Sequence, residues 1–177
     1  MPTRRTFLLA GIAGATALAV ASWLRGPREA PPVSTALLPL AQLDADAAAI
    51  VAAIALVLLD GALPPDPAAA RRATDETVAN VAAAVAGLPP AAQKELGQLF
   101  ALLAFAPARI ALARVDSPWP EASHDDVAAF LERWRTSRFL LLRSAYDALH
   151  QLVFAAWYGN PASWPAIGYP GPPKVDA

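Results

Sequence analysis

The sequence predicts an all-α protein, a single bundle of about four to five helices followed by an extended Pro/Gly-rich C-terminal tail. Three observations lead there. Prolines gather near residues 27–39, 64–67, 89–90, 107, 118–120 and 161–173, leaving gaps of helical length. An interior proline would remove a helical hydrogen bond and clash with the turn before it, so the helices belong in the gaps. Within those gaps apolar residues recur three and four apart, and no segment carries the β-branched alternation of a strand. Alanine supplies much of the 56% apolar content, which favours helix and close approach between helices.

The first helix is expected over about 44–60, with Gly61 free to take the left-handed closing conformation. Apolar residues surround it almost completely, which places it centrally in the bundle. Its uncharged run, 47–59, is 13 residues long, a length that suits a buried helix better than a membrane span. A second helix takes Asp66 as its cap, Pro67 in its first turn and Gly87 at its exit. Its apolar stripe is thin: Val78, Val81 and Val85, with alanines between.

The third helix begins after Pro89-Pro90 and turns Leu96, Leu99, Phe100 and Leu103 toward the core. Pro107 bends or stops it, and residues 108–114 add a further turn or two. The longest proline-free span, 121–160, should hold the dominant helix, capped by Ser123 and closed by Gly159. Asp125 and Asp126 sit favourably against its dipole. Val127, Phe130, Leu131, Trp134, Leu141, Leu142, Ala145, Tyr146, Leu149, Leu152, Val153 and Ala156 mostly recur at helical spacing, with Arg138 filling the one gap. Unbroken from 123 to 158 it would measure roughly 54 Å, with Thr136-Ser137 as the place for a bend. In the tail, five prolines and two glycines over residues 160–173 argue against regular structure. Trp164, Ile167 and Tyr169 are nevertheless poor residues for a free tail, and apolar rings on a stiff segment lie on something.

Ahead of the bundle, Thr3-Arg4-Arg5-Thr6-Phe7-Leu8 opens an uncharged stretch, residues 6–24. Paired arginines before a moderately apolar, Gly- and Ala-containing segment resemble a twin-arginine export signal. Arg4, Arg5, Phe7 and Leu8 occupy the positions that define it, while Leu9 stands where lysine is common. Such transport moves proteins already folded, which implies a periplasmic destination. Two fates fit the leader. Ala19-Val20-Ala21 before Ser22 suits cleavage, and the uncut 19-residue stretch would rise about 28 Å as a helix anchor. The resulting division is a leader (1–21), a Pro-containing linker (22–43), the bundle (44–158) and the tail (159–177).

Composition narrows the chemistry. The chain has no cysteine, which removes disulfides, thiolate-zinc sites, cysteine-held iron–sulfur clusters and covalent c-type haem. Without the leader, 12 basic residues face 15 acidic ones. No basic block stands out, so nucleic acid is not an expected partner. His124 lies at a helix start, where solvent exposure is the ordinary outcome. His150 lies one turn from Tyr146 and Phe154, where a buried, hydrogen-bonded histidine is commoner than a catalytic base. Nothing in the spacing of the two asks for haem ligation. Asp44, Asp46, Asp125 and Asp126 read as helix-start acids. The Gly-x-x-Gly spacings at 11–14 and 168–171 do not open a helix after a strand, and no Gly-x-Ser-x-Gly occurs. No catalytic, cofactor or metal site is therefore expected in this chain.

The most suggestive cluster is Arg133, Trp134, Arg135, Ser137, Arg138 and Arg143, followed by Tyr146. It reads either as a solvated basic face or as arginines that pair with a partner's carboxylates. Several segments, taken together, resemble a known family. They are the leader, Leu58-Leu59-Asp60-Gly61-Ala62-Leu63-Pro64, Trp134-Arg135-Thr136-Ser137-Arg138, Tyr158-Gly159-Asn160-Pro161-Ala162-Ser163-Trp164 and Ile167-Gly168-Tyr169-Pro170-Gly171-Pro172-Pro173. They look like gluconate 2-dehydrogenase subunit 3 and related small subunits of membrane-associated dehydrogenases. The resemblance implies a large subunit of the glucose–methanol–choline type that holds FAD and oxidises a sugar or alcohol. A cytochrome c subunit often relays electrons. It further implies that the small subunit supports maturation and supplies the signal read by the twin-arginine translocase. Partner-facing residues on this view are Trp134, Arg135, Arg138, Tyr158, Trp164, Ile167 and Tyr169, and any membrane contact comes through the leader or the complex. The alternative is a stand-alone periplasmic helical module that binds an apolar ligand.

Overall fold

A computed structural model describes residues 43–171. The export residues Arg4, Arg5, Phe7 and Leu8, the linker up to residue 42 and the last six residues lie outside that range. The described chain is all-α, with no strand among the described residues. It comprises α1 (Ala45–Leu58), α2 (Pro67–Ala86), α3 (Pro90–Ala104), α4 (Ala106–Ala113), α5 (His124–Arg135) and α6 (Leu140–Tyr158). Single-turn or 3₁₀ segments at Trp119–Glu121 and Pro161–Ile167 complete it, so the helices outnumber the four to five expected.

Local chemistry explains most boundaries. Asp44 accepts a hydrogen bond from the Ala47 amide at 2.7 Å and Asp66 from the Ala69 amide at 2.7 Å, each satisfying an amide that the first helical turn leaves unpaired. Asp44→Ala is expected to cost about 1 kcal/mol, read as a lower urea midpoint with an unchanged slope. Gly61 has φ +78°, the left-handed conformation that only glycine adopts without penalty, and it turns the chain after α1. The centre of the bundle is α1: Ala47, Ile50, Val51, Ile54 and Ala55 are all buried, as is Leu59 just after it. It packs against α2, α3, α5, α6 and the Trp119 turn. On α2 the buried stripe is Thr74, Thr77, Val81 and Val85, with Val78 only partly covered. The two threonines bury their methyls because their hydroxyls donate back to Ala70 O (2.9 Å) and Ala73 O (2.7 Å).

Pro107 ends the run of α3. The α3 and α4 axes meet at 81°. The last five residues of α4, Arg109–Ala113, wind as a π-helix that closes on Arg114 at φ +52°. Side-chain donors brace this corner. Trp119 Nε1 donates to Leu103 O at 2.9 Å, the carbonyl that an amide at 107 would take in a continuous helix. Arg109 donates to Val115 O and Asp116 O, both at 3.1 Å.

The dominant helix expected over 123–158 is two helices. Thr136 Oγ1 donates to Glu132 O at 2.8 Å, and Ser137 Oγ accepts from the Phe139 amide at 3.1 Å. These side chains compete with the backbone ladder and end α5 at Arg135. Arg138 accordingly lies in the connecting turn and does not fill a gap in a helical stripe. Leu141, expected to face the core, is 71% exposed at the start of α6. The tail differs too: residues 161–167, expected to be extended, form a 3₁₀ turn capped by Asn160, whose side chain accepts from the Ala162 amide at 3.0 Å. Among the described residues no single helix is long and apolar enough to cross a membrane.

Candidate partner interface

Residues 146, 150, 154 and 158 of α6 are four apart and therefore stack on one face of the helix. They are Tyr146, His150, Phe154 and Tyr158, all half-buried. His150 lies nearly parallel on Phe154, 4.3 Å between centroids and 18° between planes. Tyr146 is 5.6 Å from His150 and Tyr158 is 5.7 Å from Phe154, both tilted. The imidazole is thus part of an aromatic ladder and half-buried, where a buried, hydrogen-bonded histidine was expected.

The tail folds back onto the end of α6. Ser163 is buried, with Trp157 O (2.9 Å) and Asn160 O (2.8 Å) as alternative acceptors for its one hydroxyl proton. Trp164 Nε1 donates to Tyr158 O at 2.8 Å, satisfying a carbonyl at the end of α6. Gly168, at φ +70°, reverses the chain so that the Tyr169 amide reaches Trp164 O at 3.1 Å. The Tyr169 ring then meets Trp164 edge-on at 5.1 Å. Trp164 is half-buried against its own chain, whereas Ile167 (54%) and Tyr169 (44%) remain exposed. Where the tail leaves α6, an open groove of about 580 Å³ runs between α2 and α6. It is lined by Glu76, Asn80, Ala84, Ala156, Asn160 and Pro161.

The arginine cluster is separate and is taken apart by the fold. Trp134 is 2% exposed, with its ring edge-on to Phe130 at 4.7 Å and its Nε1 donating to Leu112 O at 3.2 Å. It is a core residue, which corrects the expectation that it faces a partner. Arg133 is half-buried and donates to Ala113 O. Partial burial, with Arg114 nearby, lowers the basicity of its guanidinium. Arg135 forks onto Glu132 with two 2.8 Å bonds. That pair holds the Glu132 carboxyl below its ordinary range, so its modest contribution is present at neutral pH and fades as pH falls through the carboxylate range. Arg138 stays exposed, 4.8 Å from the Phe139 ring centroid.

No cluster of three or more potential metal ligands occurs among the described residues. His124 is exposed at the start of α5, 3.9 Å from an Asp60 oxygen and 3.7 Å from Asp125. A narrower groove of about 370 Å³ lies between α1 and the Trp119 turn, lined by Ala49, Ala53, Leu56, Trp119, His124 and Val127. Comparison with protein-family models, curated proteins and solved structures finds no match to this chain.

Proposed function

We propose that this chain is a non-catalytic small subunit that assists maturation and twin-arginine export of a periplasmic FAD-dependent sugar or alcohol dehydrogenase. One observation carries the interface: Tyr158 and Trp164 are fastened to each other, leaving Ile167 and Tyr169 projecting as a stiff, exposed apolar ledge. A pre-ordered aromatic edge loses little entropy when covered, and such edges concentrate binding energy. On this reading the flavin and the electron transfer belong to the large subunit, and this chain supplies contacts and the export signal.

The test is affinity purification of the full chain from the periplasm of its native cell. A flavin absorption spectrum in the purified material is the expected result, and a colourless, solitary chain overturns the proposal. Ile167→Asp combined with Tyr169→Ala should reduce recovery of the flavoprotein about tenfold or more, with helicity unchanged. Undiminished recovery would mean that the ledge packs on nothing but its own bundle.

The alternative, a stand-alone module for an apolar ligand, draws on the groove between α1 and the Trp119 turn. It requires a monomer that carries a small apolar molecule through purification.

A further inference from the structure

The turn between α5 and α6 presents an apolar tip among arginines. Leu140 (64%) and Leu141 (71%) are the most exposed large apolar side chains among the described residues, and Phe139 beside them is 56% exposed. Arg138 precedes the three, and Arg143 follows them with its guanidinium turned back to Ser137 O. No side chain caps the first turn of α6, so its unpaired amides add positive potential at the same point. Arg114 and Arg133 bring further positive charge to the neighbouring end of α5. Its last turn is tied to the segment before Arg114 through Arg133 to Ala113 O and Trp134 to Leu112 O. Three carboxylates lie nearby, of which Asp126 faces Arg133 from the start of α5. Glu132 is already paired with Arg135, and Asp147 lies exposed one turn beyond Arg143.

From this arrangement we infer that the 138–143 tip docks on the surface of an anionic phospholipid bilayer. Arginine guanidinium groups suit lipid phosphates, and Phe and Leu suit the acyl boundary beneath them. Leu140 and Leu141, successive residues in the first turn of α6, point about 100° apart, and Phe139, the extended residue before them, adds a third exposed apolar side chain. A rigid protein partner would need a socket to cover all three, whereas a fluid acyl layer surrounds them without one. The inference is independent of the aromatic ledge and of the leader.

The absence of native cysteine makes a site-specific probe straightforward. Leu140→Cys in the full chain is labelled with an environment-sensitive fluorophore, with Leu141→Cys as a second position and Asp75→Cys, exposed on α2, as the control. Each is mixed with phosphatidylcholine vesicles with or without phosphatidylglycerol. The expected result is blue-shifted, brighter emission at 140 and 141 with anionic vesicles and none at 75. Arg138→Glu should raise the lipid concentration for half-maximal response about 30-fold. Unchanged emission at 140 and 141 while the chain co-sediments with vesicles would show attachment by the leader alone and overturn the inference. Emission that responds to purified flavoprotein and not to lipid would overturn it in favour of a protein interface. An equal response on neutral vesicles would overturn the role given to the arginines.

Discussion

Phe130→Ala is expected to destabilise the bundle by about 3–5 kcal/mol, the range for emptying an aromatic site in a packed core. Phe130 is fully buried, with Trp119 edge-on at 5.7 Å on one side and Trp134 at 4.7 Å on the other. Those two indoles donate to Leu103 O and Leu112 O, which belong to α3 and α4 on either side of the 81° corner. Removing the middle ring therefore loosens the two side chains that hold that corner, and collapse cannot refill the space without breaking their hydrogen bonds. Urea unfolding followed by helical circular dichroism measures the cost. Leu141→Ala, at an exposed position, serves as the comparison and should fall within about 0.5 kcal/mol of the unchanged protein. A Phe130→Ala cost below about 1 kcal/mol would mean that the aromatic trio does not organise the core.

On the proposed export role, Arg4→Lys with Arg5→Lys is expected to abolish appearance of the protein in the periplasm while leaving its folding intact. The substitution keeps both charges and removes both guanidinium groups, whose planar, five-donor geometry lysine cannot reproduce. If the chain escorts a flavoprotein, dehydrogenase activity should vanish from the periplasm with it and accumulate in the cytoplasm. Fractionation followed by a dye-linked activity assay reads both compartments. Unaltered periplasmic activity would detach this chain from the export of any enzyme. Loss of this chain alone from the periplasm, with the enzyme still exported, would leave the leader's role standing and remove the escort role.

The caps and the turn at Gly61 could be read directly from the residues. Asp44, Asp66 and Ser123 each accept a backbone amide at the helix start where their position places them, and Gly61 takes the left-handed conformation after α1. Those interactions span three or four residues, so their whole mechanism is visible in a short window. The encirclement of α1 by its neighbours was likewise legible, because a helix apolar on every side has to be enclosed.

The candidate interface was legible only in part. Trp164, Ile167 and Tyr169 stand out from their composition, yet their division into one fastened ring and two exposed side chains depends on Tyr158 O and on the turn at Gly168. The sequence sets Tyr146, His150 and Phe154 one turn apart, but their stacking and its continuation to Tyr158 come from the fold. Trp134 and Arg138 are four residues apart and would share a face of a continuous helix. Ser137 and Thr136 break that helix, and the two side chains part, one to the core and the other to solvent.

The amino-acid sequence alone determined the helical class, the placement of most helix starts and the centrality of α1. Tertiary structure decided which aromatic side chains face inward, how the chain turns at Pro107 and what the tail rests on. The division has a physical cause. A cap or a proline acts through its nearest neighbours. The environment of Trp134, by contrast, is set by a carbonyl 22 residues earlier in the chain, which no local pattern encodes.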